Sequence, residues 1–466
     1  MTNPLDHLLT RRQALKAGAT SLSAYWFLPL GTPANVYAQS PAKPRGTARF
    51  VIWVMLQGGQ SHVDGWDLKE HKWTPQDFDI KEIQPGMKWP TALYPKLAKQ
   101  TERFSLVRSL QAWDAVHARA CYYIQSAHTL NPSLQREIPA VGSVVAYEYA
   151  SRRRPTDVLP SYVATNVTRS QVGLLKSGFL PATYSPFHVD TNAGLAALAA
   201  GDEDRKEMMR RWTLLKSFDD RLRNDPTLAA KAYRDYHNFY EGAVSMMADP
   251  RAAKAFELDP ADQERYGKND LGNGCIIARN LVEADAGTQF IFVNHTDWDH
   301  HSRIYQKTTN QYGRGSYYAL SGELDTALSS LLDDLAARKR PDGRTLLDET
   351  MVVCMGEFGR TPGDINGSGG RDHHQYAYTG LFAGGGVKGG RIIGQTDDKG
   401  FNVTDSGLGV KRNVYMEDVA VTLYSLMGID WKKNIKETPS GRSFYYVEPF
   451  AAKAMIGARE ITPLLV

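Results

Sequence analysis

The run Gln289-Phe290-Ile291-Phe292-Val293, continuing into Asn294-His295-Thr296-Asp297-Trp298-Asp299-His300-His301, carries the argument for the fold. A short apolar run that ends abruptly in polar residues reads as a strand covered on both faces, as in parallel sheets. Two other stretches have the same form. Arg49-Phe50-Val51-Ile52-Trp53-Val54-Met55-Leu56 leads into Gln57-Gly58-Gly59-Gln60-Ser61-His62-Val63-Asp64. Thr350-Met351-Val352-Val353-Cys354-Met355 leads into Gly356-Glu357-Phe358-Gly359-Arg360-Thr361-Pro362. Open α/β sheets bind ligands beyond the carboxyl ends of their strands. Here those ends are where His, Asp and Glu collect.

Helical patterns alternate with these strands. Leu320, Leu324, Leu328, Leu331 and Leu335 recur at helical spacing. Val419, Leu423 and Leu426 do the same, with Gly428 placed to end the helix. The alternation predicts an α/β fold. Phe104–Leu110 is a further short strand, followed by Asp114, His117, Arg119 and a helix through Ser126. The region of about 200–260 departs from the pattern. Met208, Trp212, Leu215 and Leu222, then Tyr233, Tyr236, Tyr240, Val244 and Met247, have helical spacing with no strand between them, which predicts a helical insertion whose aromatics are core. The tract Ala383-Gly384-Gly385-Gly386-Val387-Lys388-Gly389-Gly390 contains a formal G-x-G-x-x-G. The strand-like Arg391-Ile392-Ile393 follows where a dinucleotide site needs a helix, so the tract reads as a turn.

The composition bounds the function classes. The chain has 466 residues, 42% hydrophobic and 23% charged, which is ordinary globular usage. Its 55 Lys and Arg against 51 Asp and Glu leave +4, without the concentrated basic face of a nucleic-acid binder. Cys121, Cys275 and Cys354 are too few for a disulfide framework or a cysteine zinc ribbon. Cys354, inside an apolar run, is expected to be a buried small hydrophobe. No stretch approaches the length of a transmembrane helix in the body of the chain.

The N-terminus reads as an address. Thr10-Arg11-Arg12-Gln13-Ala14-Leu15-Lys16 is a twin-arginine pattern, followed by an apolar stretch from Ala17 to Leu30 and the cleavage-like Val36-Tyr37-Ala38. Residues 1–38 are therefore expected to be a twin-arginine signal peptide, and 39–466 the exported domain. The twin-arginine machinery is the expected partner, and the periplasm or exterior the expected location. That route carries folded cargo, which favours a bound cofactor.

Five of the 12 histidines fall in two clusters, His295, His300 and His301, then His373 and His374. Asp297, Asp299, Asp372 and Glu357 lie close in sequence, and His62 and Asp64 follow the first strand. Imidazole with carboxylate and no thiolate suits zinc, manganese or iron, whereas carboxylate-rich variants suit magnesium or calcium. An extended Asp299-His300-His301 would point its first and third side chains the same way. Asp372 could orient a neighbouring ligand from behind. Arg360 suits either an oxyanion clamp or a surface ion pair. Ser61 is a candidate nucleophile or a turn serine.

These motifs together, from Leu56-Gln57-Gly58-Gly59-Gln60-Ser61-His62-Val63-Asp64 through Trp298-Asp299-His300-His301, Gly356–Pro362, Gly370-Arg371-Asp372-His373 and the glycine tract, resemble the domain of unknown function 1501 family, within the alkaline phosphatase and sulfatase superfamily. The resemblance implies a three-layer α/β/α sandwich with a mostly parallel sheet and one or two divalent metals at the strand ends, zinc, manganese, calcium or magnesium. It gives ligand roles to Asp299, His301, Glu357 and His373. The superfamily's usual Asp-His pair is replaced by Glu357-Phe358, and the sulfatase Cys-x-Pro-x-Arg signature is absent after Phe104. The expected activity is metal-dependent hydrolysis of phosphate or related esters, on a small-molecule or polymeric substrate, with His117 as general acid or base and Arg360 as oxyanion clamp. A metal-stabilised binding or structural protein on a hydrolase fold is the alternative.

Overall fold

A computed structural model describes residues 42–167, 173–191, 202–223, 231–308, 315–448 and 457–466. The expected signal segment, 1–38, lies outside these. The central sheet is built from β1 (Phe50–Leu56), β2 (Phe104–Leu110), β3 (Tyr162–Thr165), β4 (Phe187–Val189), β5 (Phe290–His295), β6 (Thr350–Met355), β9 (Tyr378–Ala383) and β10 (Ile392–Ile393). Between β6 and β9 the short strands β7 (Gly359–Arg360) and β8 (His373–His374) form a separate hairpin. The sheet order is β10-β2-β9-β6-β1-β5-β3-β4. Only β9 runs antiparallel to its neighbours, β2 and β6. The three runs that decided the fold lie side by side at the sheet's centre, with β1 paired in parallel to both β5 and β6.

Every residue of β1, β5 and β6 is buried. Alternate side chains of β1 enter two different cores, which is why the run is apolar throughout instead of alternating. Phe50, Ile52, Val54 and Leu56 pack with α7 (Asp270–Ala284) and α8 (Tyr317–Ala337) on one face. Val51, Trp53 and Met55 pack with α1 (His117–Ser126), α2 (Val141–Tyr149) and α9 (Met416–Leu426) on the other. The result is a three-layer α/β/α sandwich. Helices α7 and α8 start where side chains satisfy their free amides. Asn269 accepts from Gly272 N at 2.8 Å and Ser316 from Ala319 N at 3.2 Å. Removing a core leucine such as Leu328, which is 0% exposed, would cost about 2–5 kcal/mol.

The insertion contains α3 (Asp202–Arg223), α4 (Lys231–Ala248), α5 (Pro250–Ala255) and α6 (Pro260–Tyr266). Its side chains differ from the expectation of a covered core. Val244 is buried, and Met208, Trp212 and Met247 are half-buried, but Leu215 and Tyr240 are exposed. The side chains of Leu222, Tyr233 and Tyr236 lie outside the described residues. Helical spacing marks an apolar stripe but does not supply what covers it. The glycine tract joins β9 to β10, and a Cβ on Gly384 would stand 2.3 Å from the Thr350 carbonyl oxygen. Cys354 is fully buried in β6, where burial pushes its thiol pKa well up, and all three cysteines are free. Among the described residues no helix is long and apolar enough to cross a membrane.

Candidate metal centre

Three segments converge beyond the carboxyl ends of β1, β5 and β6. The loop after β5 carries Asp299 and His301. The β7–β8 hairpin sets His373 opposite Arg360. The connection between its strands folds back on the β5 loop, with Arg371 N donating to His300 O at 2.9 Å and Asn366 Nδ2 to His301 O at 3.0 Å. The third segment is the chain entering α1, where Ala112 N donates to Gln375 O at 2.9 Å and His117 opens the helix.

His117, Asp299, His301 and His373 each offer one ligand atom, and these atoms lie within 4.8 Å of one another. Each imidazole is held from behind by its Nδ1. His117 Nδ1 donates to Glu357 Oε1 at 2.7 Å, His301 Nδ1 to Asp372 Oδ1 at 2.9 Å, and His373 Nδ1 to Ala115 O at 2.6 Å. The Nε2 atoms then face one oxygen, Asp299 Oδ1, at 3.3, 3.0 and 3.5 Å respectively. The contact of His117 Nε2 with this oxygen is out of line for a hydrogen bond, so that buried nitrogen has no hydrogen-bond partner. The Nε2 atoms of His301 and His373 are 2.8 Å apart. With both Nδ1 atoms protonated, two neutral rings would oppose lone pairs at that distance. A cation among the four ligand atoms removes that repulsion, so this donor set fits a metal.

The four groups are also coupled electrostatically. Burial opposes a charge on His117, yet Asp299 and Glu357 outweigh it and push its pKa up to about 9. Burial would raise Asp299, but the three imidazoles and Arg360 hold it far below the usual carboxylate range. Asp299 raises His301 against the effect of burial, with Asp372 adding to the rise. Burial lowers His373, partly offset by Asp299.

Other residues singled out in the sequence stand elsewhere. Glu357 is 1% exposed and lies behind His117, outside the group of four, with both carboxylate oxygens accepting from Gly58 N at 3.0 and 3.1 Å. Asp372 lies behind His301 and also accepts from Asn366 at 3.2 Å. His62 spends Nε2 on Gly400 O at 2.8 Å and stacks on His374. Asp64 pairs with Arg371 at 2.8 Å, both side chains fully buried, and accepts from Tyr305 at 2.8 Å. Ser61 Oγ donates to Asp64 at 2.6 Å and is 1% exposed. Arg360 is fully buried. Its Nε donates to Gly59 O at 3.0 Å, Nη1 to Arg371 O at 3.1 Å, and Nη2 to Gly58 O and Asp299. Its guanidinium is thus engaged by protein acceptors around Asp299, and Nη1 also lies 3.4 Å from His301 Nε2. Of the clustered histidines, His295 pairs with Glu323 and His300 is buried beside Trp298 O. Sequence reasoning reached His117 only as an acid or base. An isolated histidine at a helix start shows none of the local clustering that marked His301 and His373.

Solved structures similar to this chain include a protein of the alkaline phosphatase superfamily from Vibrio parahaemolyticus, 9% identical over 84% of this chain and 69% of that one, with a TM-score of 0.37. The soluble domain of lipooligosaccharide phosphoethanolamine transferase A from Neisseria meningitidis is 10% identical over 83% and 90%, with a TM-score of 0.35. A phosphonate monoester hydrolase from Silicibacter pomeroyi is 10% identical over 89% and 76%, with a TM-score of 0.37. No curated protein matches the chain. The pattern of one protein family, described as protein of unknown function (DUF1501), matches residues 48–453, nearly the whole of the sandwich, and the chain belongs to that family.

Proposed function

We propose that this chain is an exported, metal-dependent hydrolase of phosphate or related esters. The observation that carries the reading is the convergence of His117, His301 and His373 on Asp299, with every ring held from behind. These four residues would hold the ion. Three imidazoles and one carboxylate favour zinc, manganese or iron over calcium and magnesium, which prefer all-oxygen sites. A divalent ion there supplies Lewis-acid polarisation of an ester oxygen and activation of water. The chain's own contribution is orientation. Glu357, Asp372 and the Ala115 carbonyl keep the ring protons on Nδ1, so the Nε2 lone pairs face the ion and a substrate would approach from the open side. That side exists, since the side chains of His117, Asp299, His301 and His373 are between 22% and 30% exposed.

One observation favours a second reading, a metal-stabilised binding protein without catalysis. Ser61 is bonded to Asp64 and buried, and Arg360 is engaged by protein acceptors, so neither faces a substrate. Zinc- or manganese-loaded protein assayed on phosphomonoesters, phosphodiesters, phosphonate esters and sulfate esters separates the two. Turnover of one class, lost in His301→Ala, supports the hydrolase. Full metal occupancy with no turnover of any class supports the binding protein.

A further inference from the structure

The residue pair that frames the cluster from behind does so through a single glycine. Gly58, in the turn after β1, donates its N–H to both oxygens of Glu357 at 3.0 and 3.1 Å, and its carbonyl accepts from Arg360 Nη2. Glu357 in turn holds His117, and Arg360 holds Asp299. The two polar ends of one residue thus reach two ligands that lie 182 positions apart in sequence. Gly58 has φ of 108°, and a Cβ there would stand 2.5 Å from Asp299 N and 2.8 Å from the Trp298 carbonyl carbon. Only glycine permits both the conformation and that approach.

We propose that Glu357 and Arg360 are positioning residues for the metal centre, anchored on Gly58, and that Glu357 is not itself a ligand. The inference rests on the metal-site reading above. Glu357 is a buried carboxylate that meets Gly58 N–H, the His117 ring and the Cys121 thiol. Its charge fixes the proton on His117 Nδ1 and makes Nε2 a stronger donor to the ion. Arg360 performs the matching task for Asp299. It fixes that carboxylate's orientation and offsets its charge before the ion arrives.

The test is Co²⁺ titration of the metal-free full chain, following affinity and the visible d–d spectrum, with circular dichroism and melting of the metal-free proteins as the fold control. The variants are Glu357→Gln, Glu357→Ala, Arg360→Lys and His117→Ala. Gln keeps an oxygen that can accept from both Gly58 N–H and His117 Nδ1. Glu357→Gln should therefore weaken Co²⁺ by about 10-fold and Glu357→Ala by up to about 100-fold, the range for a group behind a ligand. Both should keep the band intensity of the wild type, because the ligand set is unchanged. Arg360→Lys should weaken Co²⁺ within the same range, also with the band intensity kept, since Lys retains the charge but not the Nε and Nη1 bonds to Gly59 O and Arg371 O that fix Nη2 between Gly58 O and Asp299. His117→Ala should change the intensity, because a ligand is gone. A spectrum in Glu357→Ala that changes as His117→Ala does would make Glu357 a ligand and overturn the assignment. Wild-type affinity in Glu357→Ala, or in Arg360→Lys, would overturn it for that residue. A wild-type chain that binds no Co²⁺ while folded would instead sink the metal centre, and the assignment with it. Should Arg360→Lys fail to fold, Arg360→Gln replaces it, since Gln lacks the charge and cannot keep all of the bonds to Gly58 O, Gly59 O, Arg371 O and Asp299, and wild-type Co²⁺ affinity in that variant would overturn the assignment for Arg360.

Discussion

Two polar sets lie past the same strand ends and look alike in sequence, yet their ring nitrogens do opposite things. In the first, the Nε2 atoms of His117, His301 and His373 crowd around Asp299 Oδ1 at 3.3, 3.0 and 3.5 Å. In the second, Nε2 atoms are spent on the backbone of one loop: His62 on Gly400 O, His374 on Phe401 O and His71 on Asp398 O. Asp64, the carboxylate of that second region, is consumed by Arg371. Adjacent residues divide between the two, His373 to the first and His374 to the second, because successive side chains of a strand point to opposite faces. The lesson is that residue type and spacing nominate a ligand, and the fate of its second nitrogen decides whether it is one.

The largest expected effect is on metal content. His301→Ala should lose most of its bound zinc or manganese by elemental analysis, whereas His374→Ala should keep it. Equal loss from both would erase the distinction. Next, Asp64→Ala strands the Arg371 guanidinium in a fully buried site. Denaturant unfolding should show a loss of about 3–5 kcal/mol, as for other broken buried pairs. His374→Ala should cost about 1–3 kcal/mol by leaving a carbonyl unsatisfied, with faster hydrogen exchange confined to 397–402.

Acid should separate the first region from a remote network that needs no metal. Burial would raise Asp334, but hydrogen bonds from Arg265, Arg279 and Tyr266 lower its pKa to about 2. Its contribution is therefore present above the unfolded carboxylate pKa of about 3.9 and is lost as pH falls through about 2. Imidazole ligands take up protons at higher pH, so metal should leave first on acidification. Melting curves of wild type and Asp334→Asn should differ at pH 7 and converge near pH 2. A constant gap across that range would contradict the assignment. The smallest effect belongs to His71→Ala. His71 is exposed, so stability should change by no more than about 0.5 kcal/mol, with metal content unaltered.

Much of the fold was legible because the relevant signals are local. The runs at 104–110 and 350–355 match β2 and β6 residue for residue, and β5 begins one residue later than its apolar run, at Phe290, and extends to His295. The Leu320–Leu335 stripe falls within α8. The antiparallel β9 between two parallel strands was not legible, since pairing direction leaves no mark on a buried apolar run. In the site, Asp299, His301 and His373 were nominated by clustering. The place of Glu357 depends on a 2.7 Å contact with a residue 240 positions away, and no local pattern encodes it. His62, Asp64, Ser61 and Arg360 are polar residues next to glycines at strand ends, as ligands and nucleophiles often are. What distinguishes Asp64, Ser61 and Arg360 is burial with partners already in place, and His62 likewise spends its Nε2 on Gly400 O while its buried Nδ1 has no hydrogen-bond partner.

The sheet order also bears on how the chain reaches this state. The first strand made, β1, has as its neighbours β5 and β6, and Val51 meets Phe290, 239 residues further on. The second, β2, waits for β9 and β10, with Leu106 opposite Leu381 and Ile392. Neither of these early strands has a partner until more than half of the chain has been synthesised. Loop-closure entropy must be met before such distant pairings are rewarded, so folding should be slow and late. During synthesis the exposed edges of β1 and β2 are a hazard for mispairing between nascent chains. A ribosome-bound chain ending before Gln289 should therefore be protease-sensitive throughout β1, and protection of that strand should appear only once β5 and β6 have emerged.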